Sequence, residues 1–332
     1  MAIDSPAAAL LRGSLPQRNW AGPSPASGSE AEVSEILDGL AQPGAALSPK
    51  YFYDAHGSAL FEAITRTPEY YVTRTERAVM QAHGAAIAQA LGRCDSVVEP
   101  GAGSCEKARA LCRLLRPQRF VALDISAEFV TEGARALHRE LPWLQVQTVV
   151  ADITRPFALG PEVPRARRLV FYPGTSIGNY EPPRAAELLS RLRALVDNDG
   201  ALLIGIDLKK DPAVLDAAYN DAQGLTAAFN LNMLSHVNRL VGADFDPAQW
   251  RHLAFYNAEA GRVEMHLQAT HDLLVRWPGG QRAFVRGERI HTENSHKFEL
   301  EGFCHQLHTV GFSRQQAWTD ERRWFAVILA RP

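Results

Sequence analysis

In Glu99-Pro100-Gly101-Ala102-Gly103-Ser104, residue type and spacing first suggest chemistry. The stretch follows a short apolar run, Ser96-Val97-Val98, and precedes a helix-compatible one, Glu106 to Leu115. Gly101 and Gly103 therefore fall in a strand-to-helix turn, where the lack of a side chain lets a ligand approach the backbone. Asp124 ends the next apolar run, where a carboxylate can accept hydrogen bonds from ribose hydroxyls. Asp152 ends the third, placed to accept from an adenine amino group while Ile153 packs on the ring; a helix-capping Asp is the competing reading. Such a site suits a dinucleotide or S-adenosylmethionine (SAM). In the dinucleotide fingerprint a third glycine lets the helix pack beneath a pyrophosphate, and here Glu106 occupies that position, which favours SAM.

The elements that must hold these residues follow from periodicity. Apolar runs at Phe120 to Leu123, Val146 to Val150, Leu169 to Tyr172 and Ala201 to Ile206 are separated by helix-compatible stretches, notably Ala127 to Arg139 and Pro183 to Val196. A long helical pattern from near Arg74 to Leu91 leads in. Strands alternating with helices of this length predict a doubly wound α/β core, a parallel sheet covered on both faces. After Asp207 the alternation stops. One long helical region is expected from about Pro212 to Val241, then two alternating segments, Arg262 to Trp277 and Gln281 to Ile290, joined as a hairpin by Pro278-Gly279-Gly280. A helix around Phe303 and a strand over Trp324 to Ala330 close the chain back onto the sheet.

Ahead of the core, residues 1–32 are rich in Ala, Ser, Pro and Gly and are expected to form a flexible tail. Helices from about Glu32 to the Pro43-Gly44 break and over Gly57 to Thr65 follow, with the strip Tyr51-Phe52-Tyr53 between them. The expected organisation is the tail, 1–32; a smaller α+β substrate-binding domain, 33–75 plus 208–297; and a SAM-binding domain, 76–207 plus 298–332.

The chain has 332 residues, 46% hydrophobic and 22% charged, with a net charge of -2. That balance gives no reason to expect nucleic-acid or membrane binding, since phosphate neutralisation needs clustered Lys and Arg. No apolar run approaches the roughly 20 residues of a membrane span, and the first residues lack the basic start of a signal peptide. Cys94, Cys105, Cys112 and Cys304 show no metal-like spacing and suit a reducing compartment; Cys105 is expected to be a bystander thiol. A cytoplasmic protein, monomeric and without a metal, is expected. His291, Glu293 and His296 form HxExxH, which is not a standard zinc spacing.

Several dispersed motifs coincide with one family. Tyr53-Asp54-Ala55-His56-Gly57-Ser58, Pro68-Glu69-Tyr70-Tyr71-Val72-Thr73-Arg74-Thr75-Glu76, the glycine turn and Gly174-Thr175-Ser176-Ile177-Gly178-Asn179 resemble the L-histidine Nα-methyltransferases of ergothioneine biosynthesis. The resemblance continues through Ala218-Tyr219-Asn220-Asp221, Thr226-Ala227-Ala228-Phe229-Asn230 and Thr292-Glu293-Asn294-Ser295-His296-Lys297-Phe298. It implies a Rossmann-like class I methyltransferase that trimethylates the α-amino group of L-histidine to hercynine, with S-adenosylhomocysteine as the other product. By motif position it implies that Tyr53, Gly101, Lys107, Asp124, Asp152 and Gly174 hold SAM. It likewise implies that Tyr70, Asn179, Tyr219, Met265, Glu293 and Ser295 hold histidine and its mono- and dimethyl forms, with Tyr53 and Asn179 at the reacting groups.

The residue types make chemical sense in those roles. Glu293 and Ser295, two apart in an alternating segment, share a face, so a carboxylate and a hydroxyl can reach the two nitrogens of one imidazole. The Asn179 amide offers donor and acceptor together. Tyr53, Tyr70 and Tyr219 can present ring faces to the sulfonium and methylated ammonium cations, whereas Tyr71 reads as a core aromatic. The expected reaction is in-line attack by the neutral amine, with no obligatory general base and the rate coming mainly from positioning. The rival readings are an Nα-methyltransferase for another amino acid or imidazole amine, a nonenzymatic SAM-binding module, and a nicotinamide oxidoreductase, the last disfavoured by Glu106. Glu293→Ala should lower kcat/KM for histidine and narrow its preference over tryptophan by about tenfold, one buried polar group left unsatisfied; unchanged discrimination between the two amino acids would remove Glu293 from the ring site.

Overall fold

The computed structural model describes residues 27–155, 157, 159–161 and 163–332; most of the expected tail lies outside them. Its last residues are ordered, contrary to expectation. Ser29 caps α1 (Glu30–Ala41): its side chain accepts from the Glu32 amide, and the Glu32 carboxylate accepts from the Ser29 amide at 2.9 Å and hydroxyl at 2.7 Å. This reciprocal cap satisfies amides that the first turn would otherwise orphan, worth about 1 kcal/mol. The Ser-x-x-Glu signal was present in the sequence but hidden by the tail-like composition around it.

The chain divides into two compact units. The first comprises 27–70 of the described residues, with Pro212–Asn257 and Val263–Asn294; the second comprises Tyr71–Asp211, Ala258–Arg262 and Ser295–Pro332. In the first unit α1 is followed by a 3-10 turn, Pro49–Phe52, which takes up most of the aromatic strip, and by α2 (Ala55–Ile64). Asp54 caps α2, accepting from the Gly57 amide at 2.7 Å and from the Asn232 side chain at 2.8 Å.

The second unit begins at α3 (Tyr71–Leu91) and alternates: β1 (Ser96–Pro100), α4 (Glu106–Leu115), β2 (Arg119–Asp124), α5 (Ala127–Glu140), β3 (Gln145–Val150), β4 (Arg168–Tyr172), α6 (Pro182–Ala194) and β5 (Ala201–Asp207). β1 to β5 are parallel neighbours. β1, β4 and β5 are buried along their whole length, which is why they read as unbroken apolar runs rather than alternating ones. β3, with Gln145, Gln147 and Thr148, is the exposed edge.

Back in the first unit, the helical region after Asp211 is two helices, α7 (Pro212–Ala218) and α8 (Leu225–Val241). The break has a cause that periodicity does not carry: the Asp221 carboxylate accepts from the Leu225 and Thr226 amides at 2.9 and 2.7 Å and starts a new helix. The two long strands expected beyond it are also subdivided. β7 (Arg262–Ala269) and β8 (Leu273–Trp277) are separate strands, as are β9 (Gly280–Phe284) and β10 (Arg289–His296), and β6 (Trp250–Asn257) had no counterpart in the sequence reading. A three-stranded sheet has the order β10-β7-β6, and β8 pairs antiparallel with β9. The hairpin itself is as expected: Trp277 pairs with Gly280, leaving Pro278 and Gly279 as a two-residue loop, with Gly279 at φ +86 as the second turn position after a proline requires.

In the second unit α9 (Leu300–Thr309), β11 (Arg314–Thr319) and β12 (Phe325–Arg331) complete a seven-stranded sheet of order β11-β12-β5-β4-β1-β2-β3, with β12 antiparallel to both neighbours. The fold is that of a doubly wound class I core. Its strand order reverses between β1 and β4, and open α/β sheets bind ligands at the carboxyl ends beside such a reversal. In the first unit, a β-carbon on Gly57 would lie 1.8 Å from the Phe52 carbonyl oxygen. Gly57→Ala should therefore lower the unfolding free energy by about 1–3 kcal/mol; an unchanged urea midpoint would show that the segment before α2 yields freely.

Candidate active site

The glycine turn sits where β1 meets α4. Gly101 and Gly103 have φ of +71 and +50, and a β-carbon on Gly101 would meet nothing within 4 Å, so this backbone is open to a ligand. Asp124, at the end of β2, accepts from the Gly103 amide at 2.9 Å through one oxygen and from the Ser126 amide at 2.9 Å through the other. Each oxygen keeps a second lone pair, aimed by a carboxylate that the backbone has already oriented. α5 reaches the turn because position 133 is glycine: a β-carbon there would sit 2.7 Å from the Ser104 backbone.

Four further residues converge on this end of the second unit. Glu76 of α3, 5% exposed, accepts from the Gly174 amide at 2.8 Å and pairs with Lys107 at 2.6 Å. Gly174 has φ +80, which favours glycine, and a β-carbon there would lie 2.6 Å from Lys107 Nζ, so a side chain would displace the ammonium. Glu99 is buried, and its Oε2 has no hydrogen-bond partner among the described residues. Burial pushes its carboxyl well above the usual range; Lys107 opposes the shift, and Glu76 and Asp124 reinforce it. Glu76 was quoted within a motif but given no role, because its partners lie far along the chain.

Asp152 follows β3 in a turn, not at the start of a helix, which removes the helix-capping alternative. Its carboxylate accepts from the Thr154 amide at 2.8 Å and hydroxyl at 2.5 Å. Ile153, half-buried, packs against the core of β4, β5 and α6. Cys105 is fully buried, and burial raises its thiol pKa, which disfavours the reactive thiolate. All four cysteines are unpaired. Among the described residues no cluster of three or more His, Cys, Asp or Glu could hold a metal, and no helix is long and apolar enough to cross a membrane.

Thr175, at φ +63, turns the chain from β4 into the 3-10 turn Ser176–Asn179. Asn179 is half-buried at its end, and a β-carbon on neighbouring Gly178 would strike the His296 carbonyl oxygen at 2.8 Å. At the end of β5 the buried Asp207 carboxylate accepts from Tyr71 at 2.6 Å and pairs with Lys210 at 2.5 Å and Lys297 at 2.9 Å. Burial, with Lys297 adding to it, brings Lys210 down to about 8 against the pull of Asp207. Tyr71 is thus a core aromatic whose hydroxyl serves this cluster, which sequence reasoning missed; Tyr71 and Asp207 alone lie 136 positions apart.

Of the remaining expected residues, Ser295 is buried in the second unit and the others belong to the first. Tyr53 meets Phe61 and Phe229 edge-on, and Tyr70 meets Phe61 and Tyr219 in the same way, with centroids 5.7–6.5 Å apart. Met265 on β7 and Glu293 on β10 are 2% and 7% exposed, so Glu293 is not a surface strand residue. Behind Tyr219 runs a directional chain. Thr292 donates to Asn230 Oδ1 at 2.8 Å, Asn230 Nδ2 donates to His252 Nδ1 at 2.9 Å, and His252 Nε2 meets the Tyr219 carbonyl at 2.9 Å. Because Asn230 supplies a donor, His252 must be neutral and protonated at Nε2. Burial holds it below the usual histidine range, against the raising effects of the Tyr219 carbonyl and Asp221. His252 had no distinguishing signal in the sequence.

Comparison with known proteins gives a consistent result. A family model described as histidine-specific methyltransferase, SAM-dependent, matches residues 32–332. The histidine N-alpha-methyltransferase of Mycolicibacterium smegmatis is 39% identical over 310 residues, covering 92% of this chain and 96% of that protein. The protein of the same name from Mycobacterium tuberculosis is 38% identical, covering 89% and 93%. Ergothioneine biosynthesis protein 1 of Neurospora crassa is 28% identical over 84% of this chain and 32% of its own greater length.

His252 also sets a pH dependence. With its pKa depressed in the folded state, the unfolded chain takes up a proton below about pH 6.5 that the native protein refuses, so stability falls as pH falls through that value. His266, also lowered chiefly by burial, adds in the same sense. His252→Gln should flatten the decline by up to about 1.4 kcal/mol per pH unit, measured by urea unfolding between pH 7 and 5; an equally steep decline would show that His252 protonates freely in the native state.

Proposed function

The chain belongs to the histidine-specific, SAM-dependent methyltransferases, and from that premise we propose that it methylates the α-amino group of free L-histidine, through the mono- and dimethyl forms, to hercynine, the first step of ergothioneine biosynthesis. The observation that carries the choice of histidine is the buried pair on β10. Glu293 and Ser295 are 7% and 2% exposed and two residues apart, so a carboxylate and a hydroxyl lie on one strand face. A neutral imidazole offers one N–H and one bare nitrogen, matching both. An indole offers a single N–H and leaves one of them unsatisfied, at about 1–3 kcal/mol.

The second unit's residues fit SAM. Gly101 and Gly103 leave backbone open, Asp124 has acceptor capacity for ribose hydroxyls, and Asp152 can take the adenine amino group beside Ile153. Lys107 and Gly174 complete the set, and the partnerless Glu99 oxygen is a buried polar atom that a ligand would satisfy. SAM, when bound, supplies an electrophilic methyl group on a sulfonium. The chain's own work is to hold the α-amine unprotonated and aimed, the role assigned to Asn179 with its paired donor and acceptor.

Tyr53, Tyr70 and Tyr219 supply ring faces, which stabilise cations by about 0.5–2 kcal/mol and need no hydrogen from them. That suits an acceptor amine which becomes quaternary. In this reading no carboxylate or imidazole among the described residues serves as an obligatory base, and each proton leaves to water or through a tyrosine hydroxyl. Four unpaired cysteines and a free amino-acid substrate suit the cytoplasm.

Incubation with SAM and a mixture of the twenty amino acids should place up to three methyl groups on histidine alone, read by mass spectrometry. Methylation of a different amino acid would overturn the substrate, and no transfer at all would favour a module that binds SAM without catalysis.

A further inference from the structure

We propose that Lys297 is a positioning residue that sets the hydrogen-bond polarity of Ser295, so that the serine meets the substrate ring as a donor and the site selects a ring nitrogen carrying a lone pair. The inference rests on the reading that Ser295 faces the imidazole of histidine.

The geometry within the second unit is specific. Lys297 Nζ lies 2.8 Å from Ser295 Oγ and 2.9 Å from Asp207 Oδ2. An ammonium has three hydrogens and no acceptor, whereas a hydroxyl can play either part. In the Lys297–Ser295 bond the serine oxygen therefore accepts, and its proton is directed away from Lys297. Any partner lying along that proton must offer a lone pair. A neighbour that can also accept, such as a second hydroxyl, or an apolar neighbour would leave the Ser295 hydroxyl free to reverse.

The ammonium cannot swing away. The Lys297 side chain is completely buried, and its backbone amide donates to the Gly261 carbonyl at 2.9 Å. Asp207 is held in turn: Tyr71 donates to it at 2.6 Å, Lys210 pairs with it at 2.5 Å, and its own amide donates to Thr175 Oγ1 at 2.8 Å. The Asp207 carboxylate faces both ammonium groups, and Asp320 is a further anion that acts on Lys210. Glu293, acceptor-only when ionised, complements the arrangement two residues earlier: one neighbour takes the ring N–H and the other gives a proton to the bare nitrogen. Ring selection is then built into a residue that need not touch the ring.

If Lys297 served only to neutralise Asp207, its loss would alter stability and leave ring selectivity alone. The test compares kcat/KM for histidine with that for the two pyrrolylalanine isomers, each of which keeps one ring N–H and has carbon in place of the other nitrogen. Wild-type enzyme should prefer histidine over the better isomer by about tenfold or more, the worth of one buried hydrogen bond. Ser295→Ala and Lys297→Met should each reduce that preference by about tenfold, and Lys297→Arg, also donor-only, should restore it. A folded Lys297→Met enzyme with the wild-type preference, or a folded Lys297→Arg enzyme without it, overturns the proposal.

Should Lys297→Met fail to fold, wild-type protein decides. Nitrogen-15 spectra of ring-labelled histidine bound with S-adenosylhomocysteine should show one protonated and one bare ring nitrogen at pH 7, and two protonated nitrogens would sink the idea. Failure of wild-type enzyme to methylate histidine would instead overturn the substrate reading on which the inference rests.

Discussion

Asp207 is a carboxylate with no solvent exposure, and its partners mark the places where the chain passes from one compact unit to the other. Tyr71 opens the second unit, Lys210 stands just before the chain leaves it, and Lys297 follows its re-entry at Ser295, with the Lys297 amide bound to Gly261 in the short excursion 258–262. A buried ion pair of this kind is weak evidence for net stability, since desolvation offsets attraction. Removing one partner is another matter, because it strands the remaining charges at a cost of about 3–5 kcal/mol. The cluster specifies where four strands of chain must be relative to the end of β5.

A second cluster does similar work at the glycine turn. Lys107 leans against the bare Gly174 backbone, and Glu76 binds both. Glu99 lies within the influence of these groups and of Asp124, and burial raises its carboxyl pKa. Class I chemistry needs little more from a protein than a rigid frame for two reactants. The two clusters, Asp207 at β5 and Glu76 between α3 and Gly174, supply that rigidity from buried charge.

Specificity draws on the same resource. The ring recognition proposed for Glu293 and Ser295 would depend on which atom donates, and a hydroxyl left to itself does not decide that. In the first unit His252 has an equivalent relation to Tyr219, its tautomer dictated by Asn230 and Thr292. Both cases place a group of fixed polarity behind a group of ambiguous polarity.

Sequence alone determined what local rules govern. The strand runs of the core are continuous because both sheet faces are covered; Gly101 and Gly103 stand in a turn of positive φ; Pro278-Gly279 closes a two-residue loop; Asp124 ends a strand. Each is dictated by side chains and dihedrals within a few residues. The Ser29 cap was equally local and was obscured only by the composition around it. Tertiary structure alone decided that the β region is five strands rather than two, and that Glu76 meets Gly174 across 98 positions and Tyr71 meets Asp207 across 136. The physical reason is that a charge becomes restrictive only once water is removed from it, and no spacing in the chain records which distant residues will be left facing it when that happens.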